Sequence, residues 1–285
     1  MIKTFNYFCQ AVIIYFLYIL GFSLGKNFSK KIFSSIFSIV GPHFKSRKII
    51  DRNLSIFNNN LSKQEKERII SNMWKNYGKT FIEYIHLGFY KKNNSHIIIE
   101  GEEILRNIID KNKRVIFISG HFANFELMSM EISKKNIKLA TIYRPLNNFF
   151  LNPLMEFLRR KYVCKNQIRK GFSGVRESIE YINKGYSIAL MIDQRVSEGE
   201  KINFFGKPAF TTTLPAQLSL KFGLPIIPVF IERFNSEQFK IKFFDEIRST
   251  DFSNKIEMSI KLNQVLEKMI EKNPNEWIWT HNRWK

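Results

Sequence analysis

Between Phe5 and Leu24 the chain reads FNYFCQAVIIYFLYILGFSL, with Asn6, Gln10 and Ser23 as the clearly polar positions. Wound as a helix, twenty such residues cover roughly 30 Å, the hydrocarbon thickness of a bilayer, which predicts a membrane anchor. Lys3 precedes the run, and Lys26, Lys30, Lys31, Lys45, Arg47 and Lys48 follow it. By the positive-inside rule this charge keeps the bulk of the chain on the cytoplasmic side. A cleaved signal peptide is the rival reading, with Ser23-Leu24-Gly25 loosely suited to cleavage. Against cleavage, Phe28, Ile32, Phe33, Ile36, Phe37 and Val40 recur at helical spacing, with Lys30, Lys31, Ser34 and Ser38 opposite. That pattern predicts an amphipathic helix lying in the membrane interface; a buried core helix would give it too.

The period changes after residue 45. Ser62-Lys63-Gln64-Glu65 is a capping box opening a helix that carries Ile69, Ile70, Met73, Trp74, Tyr77, Phe81 and Ile85 on one side. Short apolar runs then alternate with helical stretches. Strands are expected at Val115–Ser119, Ile137–Tyr143, Ser187–Ile192 and Ile226–Ile231. Helices are expected at Asn124–Lys134, Asn152–Lys161, Gly174–Asn183, Pro215–Phe222 and Ile256–Ile270, with Gln238–Ile247 alternating as an edge strand would. The alternation predicts an α/β fold whose mostly parallel central sheet is flanked by helices on both faces. Two units are expected: 1–45 as membrane anchor plus amphipathic helix, and 46–285 as a single folded domain.

Composition sharpens this picture. The 285 residues include 45 Lys+Arg against 25 Asp+Glu, a formal charge of +20. Such a surface suits an acidic partner, whether nucleic acid, an anionic membrane, a phosphorylated substrate or an acidic carrier protein. A nucleotide bias favouring Lys, Asn and Ile codons accounts for part of that charge. Cys9 and Cys164 are too few for a disulfide scaffold or a Cys-rich metal site. His43, His86, His96, His121 and His281 show no metal-ligand spacing, and no phosphate-cradling Gly-rich loop is present, so neither metal nor cofactor is expected.

In open α/β sheets ligands bind beyond the carboxyl ends of the strands. The first strand runs into Gly120-His121-Phe122-Ala123-Asn124-Phe125-Glu126, the second into Arg144-Pro145-Leu146-Asn147-Asn148, and the third into Asp193-Gln194-Arg195. A histidine, two acids and an arginine therefore converge on one rim. A helix start would favour a neutral imidazole at His121, as a general base requires. Glu126 would fix its tautomer, which needs His121 to lie off the helix, since five helical residues turn the side chain by about 140°. The plain alternative is that His121 and Asn124 cap a helix.

The heptapeptide 120–126 resembles the G-H-F-G-N-W-E signature of the late lauroyl/myristoyl acyltransferases of lipid A biosynthesis, which belong among the lysophospholipid-type acyltransferases. Further segments match in order: Tyr143–Asn148, Asp193-Gln194, Phe204–Ala209 with Gly206, Thr211, Trp277, and His281–Lys285. Ala123 and Phe125 stand where that signature has Gly and Trp. The likeness extends over nearly the whole chain, anchor included.

The resemblance implies transfer of a fatty acyl chain from acyl carrier protein onto a hydroxyl of a membrane glycolipid at the inner membrane. His121 would then be the base and Glu126 its orienting acid, with Arg144 or main-chain N–H groups near 122–124 stabilising the oxyanion. Asp193 would hold Arg144 or the loop, and Asn124, Gln194 and Gly206 would support the site. The basic run Arg159, Arg160, Lys161, Lys165, Arg169 and Lys170 is a candidate dock for the acidic carrier or headgroup, or an ordinary solvated helix face. Trp277, Trp279 and Trp284 suit either an interface or the core. Two alternatives stay open: an enzyme taking acyl-CoA to another glycolipid or a glycerophospholipid, and a basic membrane-tethered nucleic-acid binder. No nucleic-acid module is recognisable, so nucleic acid is not expected as a partner.

Overall fold

The computed structural model describes residues 2–235 and 238–285. Its strands are β1 (Ile97–Glu100), β2 (Ile116–Ser119), β3 (Leu139–Tyr143), β4 (Asn166–Arg169), β5 (Ser187–Met191), β6 (Glu200–Phe204), β7 (Lys207–Thr211), β8 (Ile226–Arg233) and β9 (Phe239–Phe243). The helices before the sheet are α1 (Ile2–Ser23), α2 (Lys26–Phe44), α3 (Arg47–Phe57), α4 (Lys63–Glu83) and α5 (Leu87–Lys92). Those among and after the strands are α6 (Glu102–Asp110), α7 (Glu126–Lys134), α8 (Asn152–Leu158), α9 (Phe172–Asn183), α10 (Leu214–Phe222) and α11 (Lys255–Lys272).

Seven strands form the central sheet in the order β1-β9-β8-β2-β5-β3-β4. Every neighbouring pair is parallel except β8 with β9. β2 and β8 read as continuous apolar runs because helices cover both faces of a parallel sheet, and all four residues of β2 are buried. β9 alternates like a half-exposed strand yet lies one place in from the edge, where β1 covers it. β1 and β4 are four-residue strands, and β4 (NQIR) is too polar to announce itself. β6 and β7 form a separate hairpin whose two-residue turn, Phe205-Gly206, has positive φ at both positions (52° and 69°).

α4 opens with the expected capping box, Ser62 and Glu65 each accepting from the other's main-chain N–H. α1 is long and apolar enough to cross a membrane and buries little more than Ala11, Tyr18 and Gly21. Phe5, Phe16, Ile19 and Phe22 stand exposed along it. Its opposite side touches the rest of the chain along most of its length. Asn148 donates to the Tyr7 carbonyl (2.8 Å), the Tyr15 hydroxyl donates to the Phe150 carbonyl (2.9 Å), and Tyr18 packs on Phe81.

α2 lies along α4 with much of its apolar side outward, as an interfacial helix would have it, and departs from the expected split in what it buries. Lys30, Phe33 and Ser34 are buried, while Phe28, Ile36, Ile39, Val40 and Phe44 face outward. The cause is close helix approach at small residues: Gly78 of α4 sits against the Phe33 carbonyl, and Gly41 sits against the Trp74 ring. Packing selects the side with the small residues and leaves bulky apolar groups outside.

Candidate active site

β2 and β5 pair in parallel with Ser119 beside Met191, and the ladder continues as Ile192 N–H donates to the Ser119 carbonyl. Two residues past that register, His121 and Asp193 leave the sheet side by side. The His121 ring Nδ1 lies 2.7 Å from Asp193 Oδ1, and the His121 main-chain N–H donates to Asp193 Oδ2 at 2.7 Å. The Trp277 indole N–H donates to the same Oδ2 at 3.0 Å. Burial alone would push the Asp193 carboxyl upward, but His121 and these donors outweigh it and hold its pKa below the ordinary value. An ionised Asp193 requires the proton on Nδ1, so Nε2 carries the lone pair.

Glu126 therefore does not make the expected bond to His121. It begins α7 and turns the other way, accepting from the Tyr84 hydroxyl (2.6 Å) and from Arg159 Nε (2.8 Å). Asp193, in turn, holds His121 rather than Arg144. Parallel strand register, and not the helical spacing of 121 and 126, decides which acid reaches the imidazole.

Arg159 is correspondingly absent from the basic surface. A π-helical turn, Arg159–Val163, follows α8 and places the guanidinium inward with a side chain only 12% exposed. Burial opposes its charge, and Glu126 with Tyr84 more than compensates, raising its pKa. Arg160, Lys161, Lys165 and Lys170 remain exposed.

The turn carrying His121 is held from behind. Ala123 sits at φ 43°, a left-handed conformation costly for a residue with a Cβ. Thr80 Oγ1 donates to the Ala123 carbonyl (2.9 Å), and the buried Asn124 amide donates to Glu83 Oε2 (3.0 Å). Glu83 is itself buried and clamped by both terminal nitrogens of Arg233 (2.7 and 2.9 Å), whose Nε donates to Asn76 (2.7 Å). Asn124 is thus a support from beneath. Phe122 N–H is already spent on the Gly120 carbonyl (2.9 Å).

His121 opens onto a cavity of about 560 Å³, within the range of small-ligand sites. Met128, Ile142, Val163, Ala189 and Leu190 give it an apolar interior, while Arg144, Gln194, Lys170 and Lys45 are among its polar lining. Arg144 is exposed on this rim, one strand over from the His121–Asp193 pair. Gly206 lies apart, in the β6–β7 turn, where a Cβ would meet open space. The Trp277–Lys285 segment braces the whole arrangement. Trp277 and Trp279 are core residues, Arg283 donates to the Phe210 carbonyl (2.6 Å) and Thr211 Oγ1 (2.7 Å), and Trp284 donates to the Phe204 carbonyl (3.0 Å).

Sequence reasoning passed over Tyr84, Glu83 and Thr80, because an isolated acid on a helix reads as a surface charge. It also treated His281 as one scattered histidine, although that residue lines the cavity. The signal for it was its place in the His281–Lys285 motif.

The chain is similar to several known proteins. "Lipid A biosynthesis acyltransferase 2" of Shigella flexneri is 22% identical over 244 residues, covering 82% of this chain and 76% of its own. "Lipid A biosynthesis palmitoleoyltransferase" of Escherichia coli (strain K12) is 24% identical over 255 residues, covering 86% of this chain and 80% of its own. Among solved structures, the 1-acyl-sn-glycerophosphate acyltransferase PlsC from Thermotoga maritima matches with a TM-score of 0.43 at 16% identity, covering 88% of this chain and 98% of that one. The family described as bacterial lipid A biosynthesis acyltransferase matches residues 2–285. This chain belongs to that family.

Proposed function

We propose that this acyltransferase moves a fatty acyl chain from acyl carrier protein to a hydroxyl of a lipid A precursor, Kdo2-lipid IVA or its lauroylated product, with His121 as general base. The carrying observation is the Asp193–His121 pair on the wall of a cavity lined by both apolar and polar side chains. Nε2 removes the acceptor hydroxyl's proton as that oxygen attacks the thioester carbonyl. The carbon–sulfur bond then breaks, and the proton passes from the imidazolium to the leaving thiolate, yielding an ester and a free thiol. Asp193 stabilises the imidazolium between the two transfers. Arg144 faces the developing oxyanion, and Gln194 lines the same rim. No acyl-enzyme is required: Cys164 is buried and burial raises its pKa, so it is a poor thiolate.

The apolar band on α1 and α2 sits in the inner membrane, with residues 46–285 as the catalytic unit on the cytoplasmic face. Exposed Lys31, Lys45 and Lys48, with half-buried Lys26, flank that band. Arg160, Lys161, Lys165 and Lys170 form the surface for the acidic carrier.

Mass spectrometry of membrane glycolipids from cells with and without the chain tests this reading. Loss of one acyl chain is expected. With purified protein, acyl-carrier and acyl-CoA donors supplied side by side should separate, the carrier being used. His121→Ala and Asp193→Asn, at normal protein levels, should lower turnover by about 10²–10⁴-fold. An unchanged lipid profile in His121→Ala rejects the assigned base.

A further inference from the structure

His281 is a second imidazole in the same cavity as His121, and its surroundings fix how it can act. Its Nε2 accepts a hydrogen bond from the Arg195 main-chain N–H at 2.8 Å. An amide N–H cannot accept, so Nε2 must carry the lone pair and the ring proton must sit on Nδ1. The main chain around it is fixed as well. The buried Asn53 amide donates to the His281 carbonyl (2.8 Å), and the His281 N–H donates to the Ile278 carbonyl (3.2 Å). Burial, opposed in part by Asp193, pushes its pKa down to about 4, so the ring stays neutral under ordinary conditions.

Resting on the functional reading above, we propose that His281 is a catalytic hydrogen-bond donor: its Nδ1–H stabilises the thioester carbonyl oxygen as it becomes an oxyanion during attack. With Nε2 turned to Arg195, Nδ1 is the ring nitrogen left for the cavity. The oxyanion forms within reach of a base on the β2–β5 side, and His281 lines that cavity from the Trp277–Lys285 segment, which also holds Asp193. A neutral donor fits this role because it supplies a dipole without placing a second cation beside the imidazolium that His121 becomes. A donor already fixed at both the ring and the backbone needs no reorganisation at the moment of reaction.

Two substitutions separate this role from a structural one. His281→Gln keeps an acceptor near Nε2 for the Arg195 N–H and removes the donor at the Nδ1 position. His281→Asn puts an amide N–H at that position. With acyl-carrier donor and lipid A precursor in mixed micelles, Gln should lower kcat by about 10²–10³-fold with KM changed less than about threefold. Asn should recover kcat to within about tenfold of the unaltered chain. Full kcat in the Gln variant overturns the proposal, as does equal loss in both variants with unchanged melting. Should the Gln variant melt far lower, ring ¹⁵N spectroscopy of the unaltered protein decides: a proton on Nδ1 supports the assignment, and one on Nε2 overturns it. Absence of transfer by the unaltered chain overturns the functional reading itself, and this inference with it.

Discussion

His96 is 3% exposed, and among the described residues neither ring nitrogen has a hydrogen-bond partner; Glu131 lies 3.9 Å from Nε2. Burial pushes its pKa from the ordinary 6.5 down to about 4. The unfolded chain therefore binds a proton here at pH values where the folded chain does not. Its contribution to stability is present above about 6.5 and is lost as pH falls toward about 4. His96→Leu should narrow the gap between melting temperatures measured at pH 7 and pH 5, and raise the latter, because it also removes an unsatisfied buried group. His281 retains part of the slope, its pKa being depressed to about the same value. At this scale the sequence exposed the proposed base but set Glu126 beside it, where the structure sets Asp193. Gly120–Glu126 marks His121 plainly, whereas Asp193 reaches it only through strand register, which no local spacing encodes. Likewise Arg159 looked like one of a basic run until a π-helical turn rotated it onto Glu126.

Helices and strands with strong periods were legible, and their faces less so. The β2, β3, β5 and β8 runs fall within a residue or two of their expected limits, since buried parallel strands are uniformly apolar. β1 and β4 were missed for want of length and apolarity. α2 was legible as a helix whose apolar positions Phe28, Ile36 and Val40 face outward, but the burial of Lys30, Ser34 and Phe33 against α4 was not, because close packing at small residues decides it. That packing gives a sharp test. A Cβ at Gly78 would run into the Phe33 main-chain carbonyl, which no rotamer change can relieve. Gly78→Ala should destabilise the protein by about 1–3 kcal/mol. At this chain length or somewhat less, that is about 2–4 °C of melting temperature per kcal/mol, read by thermal denaturation in detergent. The same α4 helix bears Thr80 and Glu83, so transfer activity should fall with the melting point.

Across the molecule, the proposed catalytic groups come from segments far apart in the chain, and two layers hold them. One is the Trp277–Lys285 segment, which meets Asp193, Phe204 and Phe210. The other is α4, which supports the His121 turn on one side and carries α2 on the other. Removing residues 1–45 would uncover Trp74, Phe81 and Ile82, which now meet Gly41, Tyr18 and Gly21. A chain beginning at residue 46 should aggregate on size-exclusion chromatography and lose ordered α4 by circular dichroism; a monodisperse, active product would refute this.

The shared α2–α4 seam carries a practical consequence for inhibitor discovery. A protease cut or shortened gene should not separate a water-soluble catalytic unit from its apolar support, because one wall belongs to both. Compounds screened against this protein must meet it in micelles or bilayers. Their measured potency will then include how strongly each compound itself partitions into fat.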